Sequence, residues 1–187
     1  MRGRREVIGC GLSTLLLAVT LAGSAKQASA EAQRDEREVR SAYVFNLVKY
    51  VEWPPSRNEI VIAYVGDAES GALMQKMLSG RSSEEHTIRV LVMPTEADLA
   101  RCSVVYVAGA NQVETRKLLD RIREMNVLTI GESEAFVREG GVVALVKADD
   151  HIQIQVNLEA AQRAGVHISS HVLSLANIVQ PAQNARN

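Results

Sequence analysis

The residues most suited to chemistry by type and spacing are two serines flanked by two histidines near the carboxyl end. Ser169 and Ser170 lie between His167 and His171. A serine nucleophile needs a base within hydrogen-bond reach and a third group that orients the base. Side chains of sequence neighbours point apart, and the chain has no G-x-S-x-G turn. We therefore predict no catalytic residue here, and we expect one of the serines to cap the last helix.

Metal and cofactor sites are not predicted either. His167 and His171 have a spacing that can hold zinc on one helix face, but the helix is expected to begin between them. The turn VGDAESG, residues 65–71, could place a phosphate at a helix N-terminus. It lacks the glycine spacing of a P-loop or a dinucleotide fingerprint, and Asp67 and Glu69 would repel a phosphate. The sequence thus predicts neither a metal nor a cofactor.

The first 30 residues have the layout of a secretory signal peptide. Arginines at the start are followed by an apolar stretch, residues 12–22, and by the small residues Ala28-Ser29-Ala30. The apolar stretch is shorter than the ~20 residues that span a bilayer. We predict export with cleavage after Ala30, and the alternative is an uncleaved membrane anchor. Cleavage would leave an acidic chain without the basic patch that nucleic-acid binding needs.

Strand-like and helical segments alternate through most of the remaining chain. Buried-type strands are expected at 59–67, 86–93, 102–109 and 126–132, with helical patterns between them. This alternation predicts an α/β fold, with a mostly parallel central sheet and helices on both faces. The segment 140–157 contains two strand-like runs separated by a turn, which predicts an antiparallel hairpin at one edge.

These patterns also predict how the chain is divided. Residues 31–180 are expected to form a single domain, and residues 181–187 a flexible tail.

Gln153, Gln155 and Asn157 alternate with apolar residues, so we expect one solvated face on the second hairpin strand.

The first helix of this domain is unusually apolar. AYVFNLVKYVEWP, residues 42–54, is apolar on two adjoining stripes and is predicted to end at Trp53-Pro54. One stripe can pack on the sheet while the other contacts another protein; the alternative is that the core buries both. Aromatic side chains dominate interface energetics. The predicted contacts on this helix, with the two charged residues at the rim, are Tyr43, Lys49, Tyr50, Glu52 and Trp53.

A second candidate contact region includes His167, Ser169 and His171, together with the solvated face of the hairpin. Histidine is the side chain that changes charge between pH 5 and 8, so binding there is expected to depend on pH. A binding curve that is unchanged over this range would contradict that expectation.

Six segments form a pattern typical of one protein family. They are AYVFNLVKYVEWP at 42–54, VGD at 65–67, CSVVYV at 102–107, VLTIGE at 127–132, GGVVALV at 140–146 and VNLEAAQRAGVHISSHVLSLANIV at 156–179. In this order they resemble the YfiR/HmsC family of small bacterial periplasmic proteins. The resemblance implies a compact α/β regulator without enzymatic activity. It would bind and repress the periplasmic sensor domain of an inner-membrane diguanylate cyclase, lowering cyclic diguanylate and biofilm formation.

The resemblance also implies a homodimer and an outer-membrane-tethered protein that sequesters the repressor. Some members carry disulfides, whereas only Cys102 follows the predicted cleavage site, so no internal disulfide can form in the mature chain. We expect Cys102 to be a buried core residue. Redox control of the fold, as in those members, is therefore not expected.

Two other classes of function remain open. A periplasmic small-molecule receptor, coupled to another membrane sensor, would use a cleft at the carboxyl ends of the strands near Gly66-Asp67, Gly109 and Gly131. An exported hydrolase would be indicated by ester turnover that is lost when Ser169 or Ser170 is changed.

Overall fold

The computed structural model describes residues 13–54, 58–83, 86–109 and 111–180, with side chains from residue 29 onward. The chain divides into two compact units, Met1–Glu36 and Arg37–Asn187. Within these described ranges, no helix is both long enough and apolar enough to cross a bilayer. The signal peptide and its cleavage after Ala30 stay predictions, and the predicted tail, 181–187, lies outside the described residues.

Helices and strands alternate as the sequence predicted. The helices are α1 Ser13–Lys49, α2 Ala68–Leu78, α3 Glu96–Leu99, α4 Gln112–Ile122, α5 Glu134–Arg138, α6 Leu158–Arg163 and α7 Ser170–Leu175. The strands are β1 Glu59–Val65, β2 Ser82–Ser83, β3 His86–Val92, β4 Val104–Val107, β5 Leu128–Gly131, β6 Val143–Ala148, β7 His151–Val156 and β8 Asn177–Ile178.

Within the described residues, these strands form one sheet in the order β2-β3-β1-β4-β5-β6-β7-β8. The strands from β3 to β6 are parallel, while β2 is antiparallel to β3 and β7 is antiparallel to β6. The predicted α/β fold is confirmed, with the β6–β7 hairpin on one side of the sheet. β8 adds two residues, Asn177–Ile178, beyond the hairpin and pairs parallel with β7.

The two faces of the sheet bury different side chains because alternate residues of a strand point to opposite faces. On β1, Ile60, Ile62 and Tyr64 pack into a core cluster with residues from α1, α2, α6 and α7. Val61 and Ala63 pack into a second cluster with residues from α3, α4 and α5. The sheet is therefore covered on both faces, as predicted.

The prediction of a solvated face on β7 was wrong. Gln155 is 5% exposed and Asn157 is 1% exposed. Gln155 Nε2 donates to Glu134 Oε1 at 3.2 Å, and Asn157 Nδ2 donates to the Val137 carbonyl at 2.8 Å. Both acceptors belong to α5, which covers this face of the strand. The polar side chains are buried because α5 supplies their hydrogen-bond acceptors.

The outer edge of β3 is closed by the chain itself. Ile88 N donates to the Arg81 carbonyl at 2.8 Å. Two residues further on, Val90 N donates to Ser79 Oγ at 3.0 Å, and Gln75 Nε2 donates to the Val90 carbonyl at 2.9 Å. Open backbone groups on an edge strand are a template for pairing with another chain. Along this stretch the main-chain groups are already bonded.

Candidate partner-binding surface

Helix α1 ends earlier than the sequence predicted. Its last residue is Lys49, and Val51 forms an isolated antiparallel bridge with Ile168. The prediction that the helix ends at Trp53-Pro54 was wrong by four residues. Val51 is extended because it pairs with a distant segment, and no local pattern reveals that pairing. Pro54 in addition disfavours helical geometry at Trp53, the residue before it.

This bridge joins the two contact regions that the sequence suggested separately. Ser169 N donates to the Tyr50 carbonyl at 2.9 Å, and Glu52 N donates to the His167 carbonyl at 3.0 Å. The end of α1 and the segment before α7 thus form one continuous surface. We call it the α1-end surface; it consists of Lys49–Trp53, Ser83, His86 and His167–His171.

Two aromatic residues of this surface are held in different ways. The Tyr50 ring lies 4.9 Å from the His171 ring, tilted by 45°, and Tyr50 is 39% exposed. Trp53 is half-buried, and its Nε1 donates to the Val48 carbonyl at 2.8 Å. Tyr43 lies about two turns earlier on α1 and packs, partly buried, against the core. Among the three predicted aromatic contacts, Tyr50 is the most open to a partner.

The surface contains a cavity of about 330 Å³ at the end of α1. Val48 and Val51 line it together with Lys49 and Ser169, while Ser83 and His86 come from β2 and β3. The sequence reasoning did not include these two β-strand residues, because Ser83 pairs with His86 through the short β2 strand, which no local pattern indicated. A second cavity, of about 250 Å³, lies beside His167 and Ile168.

Two cationic side chains lie beside the Phe45 ring near the end of α1. Lys49 is exposed, with Nζ 5.6 Å from the centre of the Phe45 ring. The Arg81 guanidinium lies 4.2 Å from the same ring, a cation–π contact. Glu52 is the carboxylate among the surface residues and is exposed. The Phe45 ring, one helical turn before the end of α1, therefore has two positively charged groups beside it.

Ser169 has a hydroxyl that the fold does not satisfy. It occupies the N-cap position of α7, as expected, but its side chain makes no capping hydrogen bond. Among the side chains that the structure describes, Ser169 Oγ is the buried polar atom without a hydrogen-bond partner. Ser170 is the first residue of α7. The capping role predicted for these serines is wrong as far as the Ser169 hydroxyl is concerned.

The carboxyl ends of the strands, where a receptor cleft was considered, are closely packed. A Cβ added to Gly66 would lie 2.8 Å from the Ala108 carbonyl oxygen. A Cβ added to Gly131 would lie 2.3 Å from Cγ of Phe136. At these two glycines, other parts of the chain lie too close to leave room for a side chain. Gly109 is exposed, with a positive φ of 59°.

A buried polar cluster lies at the same end of the sheet. Arg40, on α1, donates to the Leu145 carbonyl, and its Nε is 3.9 Å from Glu132 Oε1. The Tyr106 hydroxyl donates to the same carboxylate oxygen at 2.7 Å. Burial, reinforced by the Glu132 charge, raises the pKa of Tyr106 well above its ordinary value. These contacts anchor α1 across the ends of β4, β5 and β6.

Other potentially reactive groups have structural surroundings. Cys102 is buried, as predicted, and its Sγ donates to the Asp98 carbonyl at 3.1 Å. Burial raises the pKa of its thiol to about 11, which keeps it in the unreactive protonated form. The described part of the chain contains no group of three His, Cys, Asp or Glu side chains that could hold a metal ion.

A comparison with known protein families shows which family the chain belongs to. The model of the YfiR/HmsC-like family matches residues 37–177, from the last turns of α1 to β8. The chain belongs to the YfiR/HmsC-like family. This confirms the resemblance seen in the sequence. YfiR/HmsC-like proteins are, in general terms, periplasmic regulators of diguanylate cyclases and not enzymes.

Two solved structures share the fold of this YfiR/HmsC-like chain. One is the ABC domain in complex with L-Trp from Streptococcus pneumoniae, with 14% identity, a TM-score of 0.50 and coverage of 72% of the chain. The other is a conserved domain protein from Vibrio cholerae O1 biovar eltor, with 16% identity, a TM-score of 0.52 and 74% coverage. The chain spans 59% of each of those proteins. No curated protein matches the sequence.

Proposed function

We propose that this YfiR/HmsC-like protein binds the periplasmic sensor domain of an inner-membrane diguanylate cyclase through the α1-end surface and represses it. The observation that supports this proposal is the bridge between Val51 and Ile168, which merges two independently suggested contact regions. Repression would lower cyclic diguanylate and biofilm formation.

The surface has properties that suit a protein partner. Tyr50 offers an exposed aromatic side chain, the type that dominates binding energy when a partner buries it. The backbone around it is fixed by the hydrogen bonds from Ser169 N and Glu52 N. A rigid surface loses little conformational entropy on binding, so more of the contact energy appears as affinity.

The direct test compares two exposed hydrophobic residues. Tyr50→Ala should weaken binding of the tagged mature protein to a cyclase from solubilised inner membranes by about tenfold or more, the loss expected for an aromatic hot spot. Val113→Ala is the control, because Val113 is 63% exposed on α4, which packs on the other face of the sheet. In a deletion strain, the control should restore low cyclic diguanylate and Tyr50→Ala should not. Equal binding and equal repression by the two variants would contradict the proposal.

Two further partners are proposed with this function. The protein would form a homodimer, and an outer-membrane-tethered protein would sequester it from the cyclase. Sedimentation of the mature protein tests the dimer, and a single monomeric species at micromolar concentration would reject it. Competition between the tethered protein and the cyclase for the α1-end surface tests sequestration; simultaneous binding of both would reject it.

A second candidate function is that of a small-molecule receptor. The observation that favours it is the cavity of about 330 Å³ at the end of α1, which is within the size range of small-ligand sites. A receptor should retain a metabolite that native mass spectrometry detects, and it should not co-purify with membranes. Co-purification with a cyclase, without any retained metabolite, would favour the regulator instead.

A further inference from the structure

The two sides of the sheet are protected from strand pairing to different degrees. Along β3, the side chains of Ser79 and Gln75 already bond the main-chain groups of Val90. On the other side, β8 is the last strand of the sheet that the described residues form. Both of its residues, Asn177 and Ile178, are exposed, and β7 pairs with its inner side. The outer side of β8 is therefore an edge that another strand can reach.

The register of β8 shows which of its main-chain groups are turned outward. Val156 pairs with Ile178, and Val179 N donates to the Val156 carbonyl at 2.8 Å. In a parallel pair of this register, the bonds to Val156 come from the residues on either side of Ile178. The amide and the carbonyl of Ile178 itself therefore point away from β7, towards the position of a further strand.

The surface around this edge is apolar and carries no formal charge. Leu175 is 67% exposed and Ile178 is 48% exposed. Leu158, two residues after the Val156 that pairs with Ile178, is also exposed. From Ala164 to Ala185 the sequence contains no Asp, Glu, Lys or Arg, although these residues make up 23% of the chain. Charged side chains commonly protect an edge strand from pairing, and β8 has none.

We infer that this edge is the contact between two copies of the chain, with β8 of one copy antiparallel to β8 of the other. The homodimer is part of the proposed function, on which this inference rests. At the twofold axis, Ile178 lies opposite Ile178 of the second copy, and the two residues exchange their outward N–H···O=C bonds. The sheets of the two copies then join into one.

The charge pattern favours a second copy as the occupant of this edge. In a twofold contact each patch meets the same patch, so a charged residue near the axis would face its own like charge. The uncharged stretch around β8 avoids this repulsion, and it offers no formal charge to a charged partner. The strand is short, and the exposed Leu175 beside it adds apolar area to the contact. Because both copies use the same edge, assembly stops at two.

The test places charges at the twofold axis. In the mature protein, Ile178→Lys should raise the dissociation constant of the dimer about tenfold or more in sedimentation equilibrium, because two like charges would face each other. Ile178→Glu should have the same effect. An equal mixture of these two variants should recover the dimer, since each lysine then faces a glutamate.

The matched control is Val113→Lys, which adds the same charge to an exposed residue of α4, outside this edge. It should leave the dimer unchanged. Circular dichroism checks that each variant is folded. If the Ile178 variants are not, Leu175→Lys replaces them, because Leu175 is more exposed, and it should weaken the dimer in the same direction.

The remaining outcomes separate this inference from the proposed function. A dimer that Ile178→Lys leaves unchanged, or a mixture of folded variants that stays monomeric, overturns the inference and leaves repression of the cyclase intact. A mature protein that dimerises only after removal of residues 181–187 also overturns it, because that tail would then occupy the edge. Repression is measured separately, as cyclic diguanylate in the deletion strain. If the unmodified protein does not lower it, the proposed repression fails whatever the dimer contact is.

Discussion

Replacing Ser169 by alanine should stabilise the protein. A serine at an N-cap ordinarily contributes about 1 kcal/mol, so its loss normally destabilises a helix. Ser169 Oγ is buried without a hydrogen-bond partner, and leaving a buried polar group unsatisfied costs about 1–3 kcal/mol. Alanine removes this cost together with one small atom of packing. We therefore expect a gain of about 1 kcal/mol in the free energy of unfolding, or about 2–4 °C in Tm.

Ser133→Ala is the matched control. Ser133 is also an N-cap residue, but its Oγ accepts a hydrogen bond from Phe136 N at 3.3 Å. This substitution should lose about 1 kcal/mol, so the two alanine variants should differ by about 2 kcal/mol. Urea unfolding of the mature protein, followed by circular dichroism, measures both. Equal destabilisation by the two substitutions would refute the reasoning, because it would show that the Ser169 hydroxyl is bonded in the folded protein.

Three further predictions concern the packing and titration of the fold. Gly131→Ala should destabilise by about 1–3 kcal/mol in urea unfolding because its Cβ would enter the Phe136 ring; adding Phe136→Leu should recover part of the loss. Trp53→Phe should lose about 1 kcal/mol, since Nε1 donates to the Val48 carbonyl; an unchanged urea midpoint would contradict this. Burial raises the pKa of Tyr64 to about 12, so with rising pH this tyrosine ionises in the unfolded chain before it does so in the folded protein. Its contribution to the free energy of unfolding should therefore be complete below pH 10 and should decrease towards pH 12. Tyr64→Phe should flatten that fall in urea midpoints measured across this range; an unchanged slope would count against the assignment.

Local patterns were sufficient for most of the fold. Buried strands read as short apolar runs because both faces of the sheet are covered, and β1 shows this with Ile60 to Tyr64 all buried. The start of α2 is also set locally, since Asp67 accepts a hydrogen bond from Ser70 N at 2.8 Å. The turn at Asp149, with its positive φ of 50°, lies where the hairpin was expected.

Non-local contacts limited the rest. Gln155 reads as a solvated residue from its alternation with apolar neighbours, yet α5 covers it and accepts its hydrogen bond. Val51 reads as helical, yet it pairs with Ile168. The contribution of His86 to the candidate surface could not be read locally either, because it depends on the placement of β3 beside the end of α1. Residue types indicated what could make contact, and tertiary pairing decided which of them meet.

The closure of β3 by Ser79 and Gln75 has a consequence for assembly. A neighbouring chain that approached along Ile88–Val90 would find the amide and the carbonyl of Val90 already engaged and would first have to displace two side chains. Sheet extension and fibril-like stacking are thus disfavoured on that flank. Any complex formed there must rely on contacts between side chains. The protein can therefore reach a high concentration without β-strand pairing between its own copies along that side.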